Sequence, residues 1–329
     1  MSQLSLAVVA KGLDALLDEQ MTGQARIAAH LVAAAEDQGL SPEEIISIFD
    51  AIVEKTVLDE LWITDSEGVV YLTSVRGDDG KPIRFRFTDD PDEQPQASAF
   101  FPLLSAGIDS DAVITQAAQT REIDWNIFKY VGVSGIDKPR IVQVGNALAF
   151  EEQGLLNNSY ASPVMTAALA AFGEADLLSS RYTSRVAEIR SVFDGVLSKQ
   201  MVVQAGLIDA FISTTEAAGW SVAKTNSHLQ RIVNTTPIAE IEIATTGGQV
   251  VLSSSTSPRQ LRYPESLQAI NVDVMDVVNH PTMAHDEDRQ AEKTATVYSP
   301  GLARIVQITT FLDDNSLVSP RFKIPKSNE

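Results

Sequence analysis

Residues 16–74 lie over residues 196–254 at a constant offset of 180 positions without a gap, and 18 of these 59 positions are identical. Such a repeat constrains the fold more than any motif, because one structural unit must be built twice. The identities include Gln20/Gln200, Met21/Met201, Gln24/Gln204, Glu36/Glu216, Gly39/Gly219, Ser41/Ser221, Glu60/Glu240 and Gly68/Gly248. Beyond Ser74 the copies differ in length, yet each ends on nearly the same string, RIVQV at 140–144 and RIVQI at 304–308. The second copy has the shorter middle. Within it Phe101-Pro102 is matched to Tyr263-Pro264, and Tyr130 to Tyr298.

Each copy opens with a long helix. Leu6, Val9, Leu13, Leu16, Ile27 and Leu31 fall on steps of three and four, as do Val186, Ile189, Phe193, Val196, Val203, Leu207 and Phe211. So narrow a stripe is close to a coiled-coil seam. Gln20 and Gln200 interrupt it at equivalent positions. A polar residue in a seam can fix the register of its partner, but exposure or a backbone hydrogen bond is the plainer account of a glutamine there. Gly39 and Gly219 end the helices. SPEE at 41–44 is a capping box with proline at the first helical position, which starts a second helix running to Lys55. A hairpin follows, its strands alternating about the turn Asp65-Ser66-Glu67-Gly68. IRFRF at 83–87 alternates apolar and basic side chains like a strand with one wet face. Helical segments are expected over 105–120, and the copy closes on two β-rich runs joined by a turn at 134–139.

The fold class is therefore α+β: two tandem repeats, each a long N-terminal helix and an antiparallel sheet with helices. The first module spans 1–150, a linker 151–176, the shortened second module 177–318 and a polar tail 319–329. With 44% hydrophobic and 21% charged residues the chain is a packed globular protein. It has no cysteine, which excludes disulfides and thiolate chemistry. A net charge of −19 disfavours nucleic acid and anionic membrane surfaces as partners. The first residues read as an amphipathic helix rather than a signal peptide, and no apolar run has the ~20 residues of a membrane span. A cytoplasmic protein is expected.

A long helix leading into a strand pair with a D-x-x-G turn, then helices, then the closing hairpin FKYVGVSGIDKPRIVQVG, resembles the Cache and PAS-like sensory domains of bacterial chemoreceptor-type signalling proteins. The resemblance covers nearly the whole chain, once per module. It implies a soluble, non-enzymatic sensor of signal transduction that binds a small molecule and passes the signal to a protein partner. The tight tyrosine, arginine, tryptophan and aspartate cluster of amino-acid-binding members is not reproduced.

The residues offer little other chemistry. There is no G-x-S-x-G elbow and no phosphate-binding glycine loop. His280, His285, Asp286 and Asp288 stand close together, but in a proline-broken acidic loop whose plainer reading is solvated surface, so no metal and no cofactor are expected. His30 reads as packing. The candidate ligand-binding residues are in module one: Tyr71, Arg84, Arg86, Arg121, Trp125 and Tyr130. Aromatic faces with one or two cations on a concave sheet would suit a small anionic or carboxylated ligand. Ordinary core for the aromatics and a wet strand face for the arginines is the competing account. Copy two lacks the counterparts of IRFRF and Trp125. The leading reading is thus a sensor that binds its ligand in module one. Its rival is a structural or scaffold protein whose modules bind only protein. A homodimer is expected through the long helices near Leu13, Leu16, Phe193 and Val196, since each helix is too long for its own sheet to cover.

Overall fold

A computed structural model of the chain describes residues 6–121, 126–147, 179–255, 261, 276–279, 283–284, 290–299 and 302–313. The first module runs α1 (Leu6–Gln38), α2 (Pro42–Lys55), β1 (Glu60–Thr64), β2 (Val70–Thr73), a 3-10 helix (Ala97–Leu104), β3 (Val113–Thr115), β4 (Gln119–Thr120), β5 (Ile127–Ser134) and β6 (Ile141–Ala147). The second runs α3 (Ser179–Ala217), α4 (Val222–Thr235), β7 (Ile238–Thr245), β8 (Val250–Ser253), β9 (Asp276–Asn279), β10 (Met283–Ala284), β11 (Gln290–Ser299) and β12 (Arg304–Asp313).

Local signals set the helix ends. Gly39 and Gly219 take φ of +81° and +67°, which ends each long helix in the left-handed region that glycine enters without strain. Ser41 and Glu44 form the capping box, whereas Ser221 caps α4 through its side chain alone, accepting from Lys224 N.

Each module has one antiparallel sheet. Their orders are β2-β1-β6-β5-β3, with β4 also beside β5, and β8-β7-β12-β11-β10, with β9 also on β11. The registers repeat as the sequence offset requires. Ile63 pairs with Leu72 and Ile243 with Leu252, and both hairpins carry a bulge at the next residue. Leu61 faces Val144 as Ile241 faces Ile308. One pairing corrects the sequence alignment. Tyr130 stands opposite Gly145, and the residue opposite the equivalent Thr309 is Thr294, not Tyr298. Tyr298 lies opposite Ile305, four residues further along β11. The match of two tyrosines was a chance identity inside a segment where the copies differ in length.

Two other expectations change. The stretch 105–120 is not helical: the turn of 3-10 helix comes earlier, where Phe100 and Leu103 bury a common face, and the β-branched Val113-Ile114-Thr115 joins the sheet instead. IRFRF is not a full strand. It follows the edge of β2 through three backbone bonds, Ile83 N to Val75 O (3.0 Å), Val70 N to Phe85 O (2.9 Å) and Phe87 N to Gly68 O (2.8 Å).

The long helices run parallel to each other. Leu13 packs with Phe193 and Val196, with Leu16 and Leu17 against them, and near the other end His30 meets Phe211. Between these contacts lies a polar layer. Gln24 Nε2 donates to Gln200 Oε1, and Gln204 Nε2 donates to Gln20 Oε1 at 3.0 Å and to Gln20 O at 3.2 Å. Gln20 and Gln200 are therefore buried, at 2% and 0% exposure, rather than turned to solvent or to a local backbone group. The two pairs are images of each other under the 180-residue offset, which is the mark of a two-fold, self-complementary interface. Here the interface lies within one chain. A single core runs from Leu61 and Val144 of the first sheet, through Leu31 of α1 and Leu207 and Phe211 of α3, to Ile241 and Ile308 of the second. Of the two covers open to the stripes, the other module's helix or a second chain, the structure shows the other module's helix over Leu13, Phe193 and Val196.

Ion pairs fasten each long helix to its sheet. Arg140, 1% exposed, donates to Glu36 Oε2 and to the Tyr71 hydroxyl, both at 2.8 Å; Arg304 pairs with Glu216 and Asp209, both at 2.6 Å. Lys129 reaches Asp14 and Asp18 at 2.7 Å, and Lys293 reaches Asp194 at 2.8 Å. These are equivalent contacts, and they explain why both copies keep the arginine of RIVQ.

Candidate functional site

The two faces of the first sheet differ. Leu61, Ile63, Val131, Val133, Val142 and Val144 point to the helices, while Glu60, Trp62, Phe128, Tyr130, Ile141 and Gln143 point away from them. Over the outward face lie the 3-10 helix and the segment 83–87. Gln94 ties these together: its side chain donates to Arg86 O (2.7 Å) and accepts from Thr88 N (2.9 Å), and its carbonyl accepts from Ser98 N of the 3-10 helix (3.0 Å). Between face and cover is a cavity of about 30 Å³ lined by Trp62, Phe85, Phe87, Gln96, Arg121, Tyr130 and Gln143. That is room for two or three water molecules.

A buried carboxylate organises its floor. Glu60, 4% exposed, accepts from the Trp62 indole N–H at 2.9 Å and the Tyr130 hydroxyl at 2.8 Å, and pairs with the Arg121 guanidinium. Arg121 also lies over the Phe128 ring, 3.9 Å from its centroid, and Phe128 stacks on Tyr130. Burial, reinforced by Glu60, pushes the Tyr130 phenol well above its ordinary range, so it stays protonated and donates. Gly145 makes this packing possible: a β-carbon there would stand 2.4 Å from the Tyr130 ring.

Of the six residues expected in a site, the structure brings Arg121 and Tyr130 together. Trp125 lies outside the described residues, as do His280 and His285. Arg84 and Arg86 are exposed. IRFRF alternates as its sequence suggests, but the phenylalanines turn inward because the face they cover is aromatic, with Phe85 packed edge-on against Trp62. Tyr71 is on the other side of the sheet. Its hydroxyl donates to Glu36 (2.5 Å) and accepts from Arg140, a satisfied clamp rather than a lining group. Against the pull of burial, hydrogen bonds from Lys138, Tyr71 and Arg140 hold the Glu36 carboxyl below its ordinary range.

Glu60, Trp62, Phe85, Phe87, Phe128, Gln96 and Gln143 were not anticipated. One signal was available for Glu60. It is identical in the two copies and occupies a strand position that alternation sets opposite Leu61. In module two the register keeps Glu240 and Gln307 in the places of Glu60 and Gln143, but puts Glu242 for Trp62 and Thr294 for Tyr130. Among the described residues the outward face there carries Thr294, Thr296 and Thr309, together with Tyr298 packed against Ala244, Leu261 and Ile305.

No family model matches the chain, and no curated protein matches it. Among solved structures, the ligand-binding domain of the Campylobacter jejuni chemoreceptor Tlp3, in complex with 4-methylisoleucine, is 10% identical over 97% of this chain and 93% of its own, with a TM-score of 0.29. An extracellular ligand binding receptor from Desulfohalobium retbaense DSM5692 is 11% identical over 93% of this chain and 39% of its own, with a TM-score of 0.25. Likenesses this shallow carry no weight for what this chain binds. No described helix is long and apolar enough to cross a membrane.

Proposed function

We propose that the chain is a small-molecule sensor whose ligand enters the module-one cavity and whose output is read by a protein partner. The observation that supports this most is the buried Glu60–Arg121 pair beside an aromatic cavity, on a sheet face covered by the segment 83–87 and the 3-10 helix. A buried ion pair is an expensive way to fill a core and contributes little net stability. It is a direct way to recognise a polar ligand. The groups are those of binding rather than catalysis. Tyr130 is held protonated and Glu60 is fully paired, so neither is a poised base or nucleophile.

The pair also narrows the ligand. A carboxylate drawn to Arg121 meets a guanidinium already neutralised by Glu60, and would leave one buried negative charge in excess. The ligand therefore carries a positive group of its own as well as offering Arg121 an acceptor. Its body is apolar or planar enough to lie against Trp62 and Phe85. Since the present cavity admits only two or three waters, binding has to lift the cover formed by 83–87 and the 3-10 helix. Module boundaries at 1–150 and 177–318 fit this division of labour, with module two as the structural copy.

A scaffold that binds only protein is the second reading, and the small cavity favours it. Differential scanning fluorimetry against a panel of carboxylates, amino acids, amines and heterocycles separates the two. The sensor reading expects a compound that raises the melting temperature of the native chain and of Tyr298→Ala, but not of Arg121→Ala or Tyr130→Ala. Loss of a charge-assisted hydrogen bond costs about 1.5–3 kcal/mol, or one to two decades of affinity. No response from any class supports the scaffold, and an equal loss in Tyr298→Ala counts against a pocket confined to module one.

A further inference from the structure

The contact between α1 and α4 holds a feature that neither the core nor the cavity explains. His30 and His228 meet with their Nδ1 atoms 3.0 Å apart and their rings nearly perpendicular, at 86°. His30 belongs to module one and is 2% exposed; His228 belongs to module two and is half-buried. Phe211 of α3 meets both rings, and Trp220, in the turn before α4, packs on His228. The 180-residue offset gives Ala210 for His30 and Ile48 for His228, so the other flank of the two-fold interface has no such pair.

At this distance one Nδ1 must donate and the other accept, which needs at least one neutral ring. Two imidazolium rings would set two donors and two charges against each other. We propose that His30 and His228 form a proton-operated latch between the modules, holding α1 on α4 when neutral and parting them when both rings are charged.

The surroundings act in the same direction. α1 brings Arg26, which donates to the carbonyls of Ser110 and Asp111, and α4 brings Lys224 and Arg231. The opposing charges are outside the contact and engaged: Asp37 of α1 accepts from Lys224 and the Trp220 indole at 3.0 Å each, and Asp109 before β3 pairs with Arg231 at 2.6 Å. Phe211 is what α3 presents. Burial, with His228, Arg231 and Arg26 adding to it, pushes His30 down to about 3. Burial, then Arg231 and Lys224, lowers His228, against the weaker pull of Asp109 and Asp37. Both packed rings therefore titrate below the ordinary ~6.5. The closed contact is fully stable above that pH and weakens as pH falls through it. Opening takes up as many as two protons, so each pH unit below about 6.5 favours the open form by up to ~100-fold.

The absence of cysteine makes the test clean. Ser66 and Thr246 are exposed at equivalent hairpin tips of the two modules. Spin labels on Ser66→Cys and Thr246→Cys report the distance between modules by pulsed dipolar spectroscopy at pH 7.5 and pH 5. The latch predicts a longer or broader distance at pH 5 that returns at pH 7.5. It predicts no such change in His228→Asn, which keeps an acceptor for His30 but takes up no proton there. A distance unchanged in the native chain overturns the proposal, as does an equal change in His228→Asn. Stoichiometric Zn²⁺ binding abolished by His228→Asn also overturns it, by making the pair a metal-ligand set.

Discussion

Arg140 and Arg304 occupy the first position of the repeated string and perform the same task, each carrying a buried charge from the closing strand to an acid on the long helix. Arg140→Ala would remove a donor from the Tyr71 hydroxyl and from Glu36, while the Tyr71–Glu36 bond remains. Because Lys138 also pairs with Glu36, and the carboxylate is 22% exposed, the loss should be about 2–3 kcal/mol rather than the larger cost of a wholly buried orphan. Urea unfolding of the two single variants checks this: Arg140→Ala and Arg304→Ala should lower stability by similar amounts. A loss under ~0.5 kcal/mol in either would mean the clamp is ornamental. Repetition made this arginine visible in the sequence. The same signal marked Glu60, yet its significance was hidden, because nothing local shows that Arg121, 61 residues away, folds back onto it. Arg84 and Arg86 misled for the converse reason. In an alternating segment at a sheet edge, the side that faces inward is chosen by the chemistry of the surface beneath, and that surface comes from distant strands.

At the scale of elements, the long helices were the most legible part of the chain, since their apolar steps and glycine ends are local facts. Their partner was not. A narrow stripe specifies that something apolar must cover it, but the same stripe serves a helix of the same chain or of another. The glutamine layer was read as polar exposure because one sequence gives no view of the glutamines that face it. Its energetics can be separated by a double-mutant cycle. Gln24→Leu or Gln200→Leu alone leaves a buried carboxamide without its partner and should cost about 1–3 kcal/mol. The double variant removes both polar groups and should recover most of that loss. Additive losses in the cycle, measured by chemical denaturation, would show that the two carboxamides are not coupled. The stretch 105–120 has no periodicity to reveal its strand: Val113-Ile114-Thr115 is too short a run to show alternation, and only its place beside β5 makes it a strand.

For the whole molecule, the consequence is that the chain is its own dimer. Two copies of one module face each other across parallel helices, and their sequences have diverged. The first keeps an aromatic cavity over a buried ion pair, the second a hydroxyl-rich sheet face, and only one flank of their interface holds a histidine pair. On the proposed function, a change at the module-one cover would reach the helices through β5. There Tyr130 faces the cavity, while its neighbour Lys129 holds Asp14 and Asp18 of α1. The most direct measurement is a cross-link across the seam. Leu13→Cys and Phe193→Cys place two thiols in a chain that has no others, at positions sharing one apolar cluster. With a short bismaleimide, the account predicts a product that runs as one 35.6 kDa chain at every protein concentration. A product of twice that mass, growing with concentration, would place the partner helix in another molecule and contradict it.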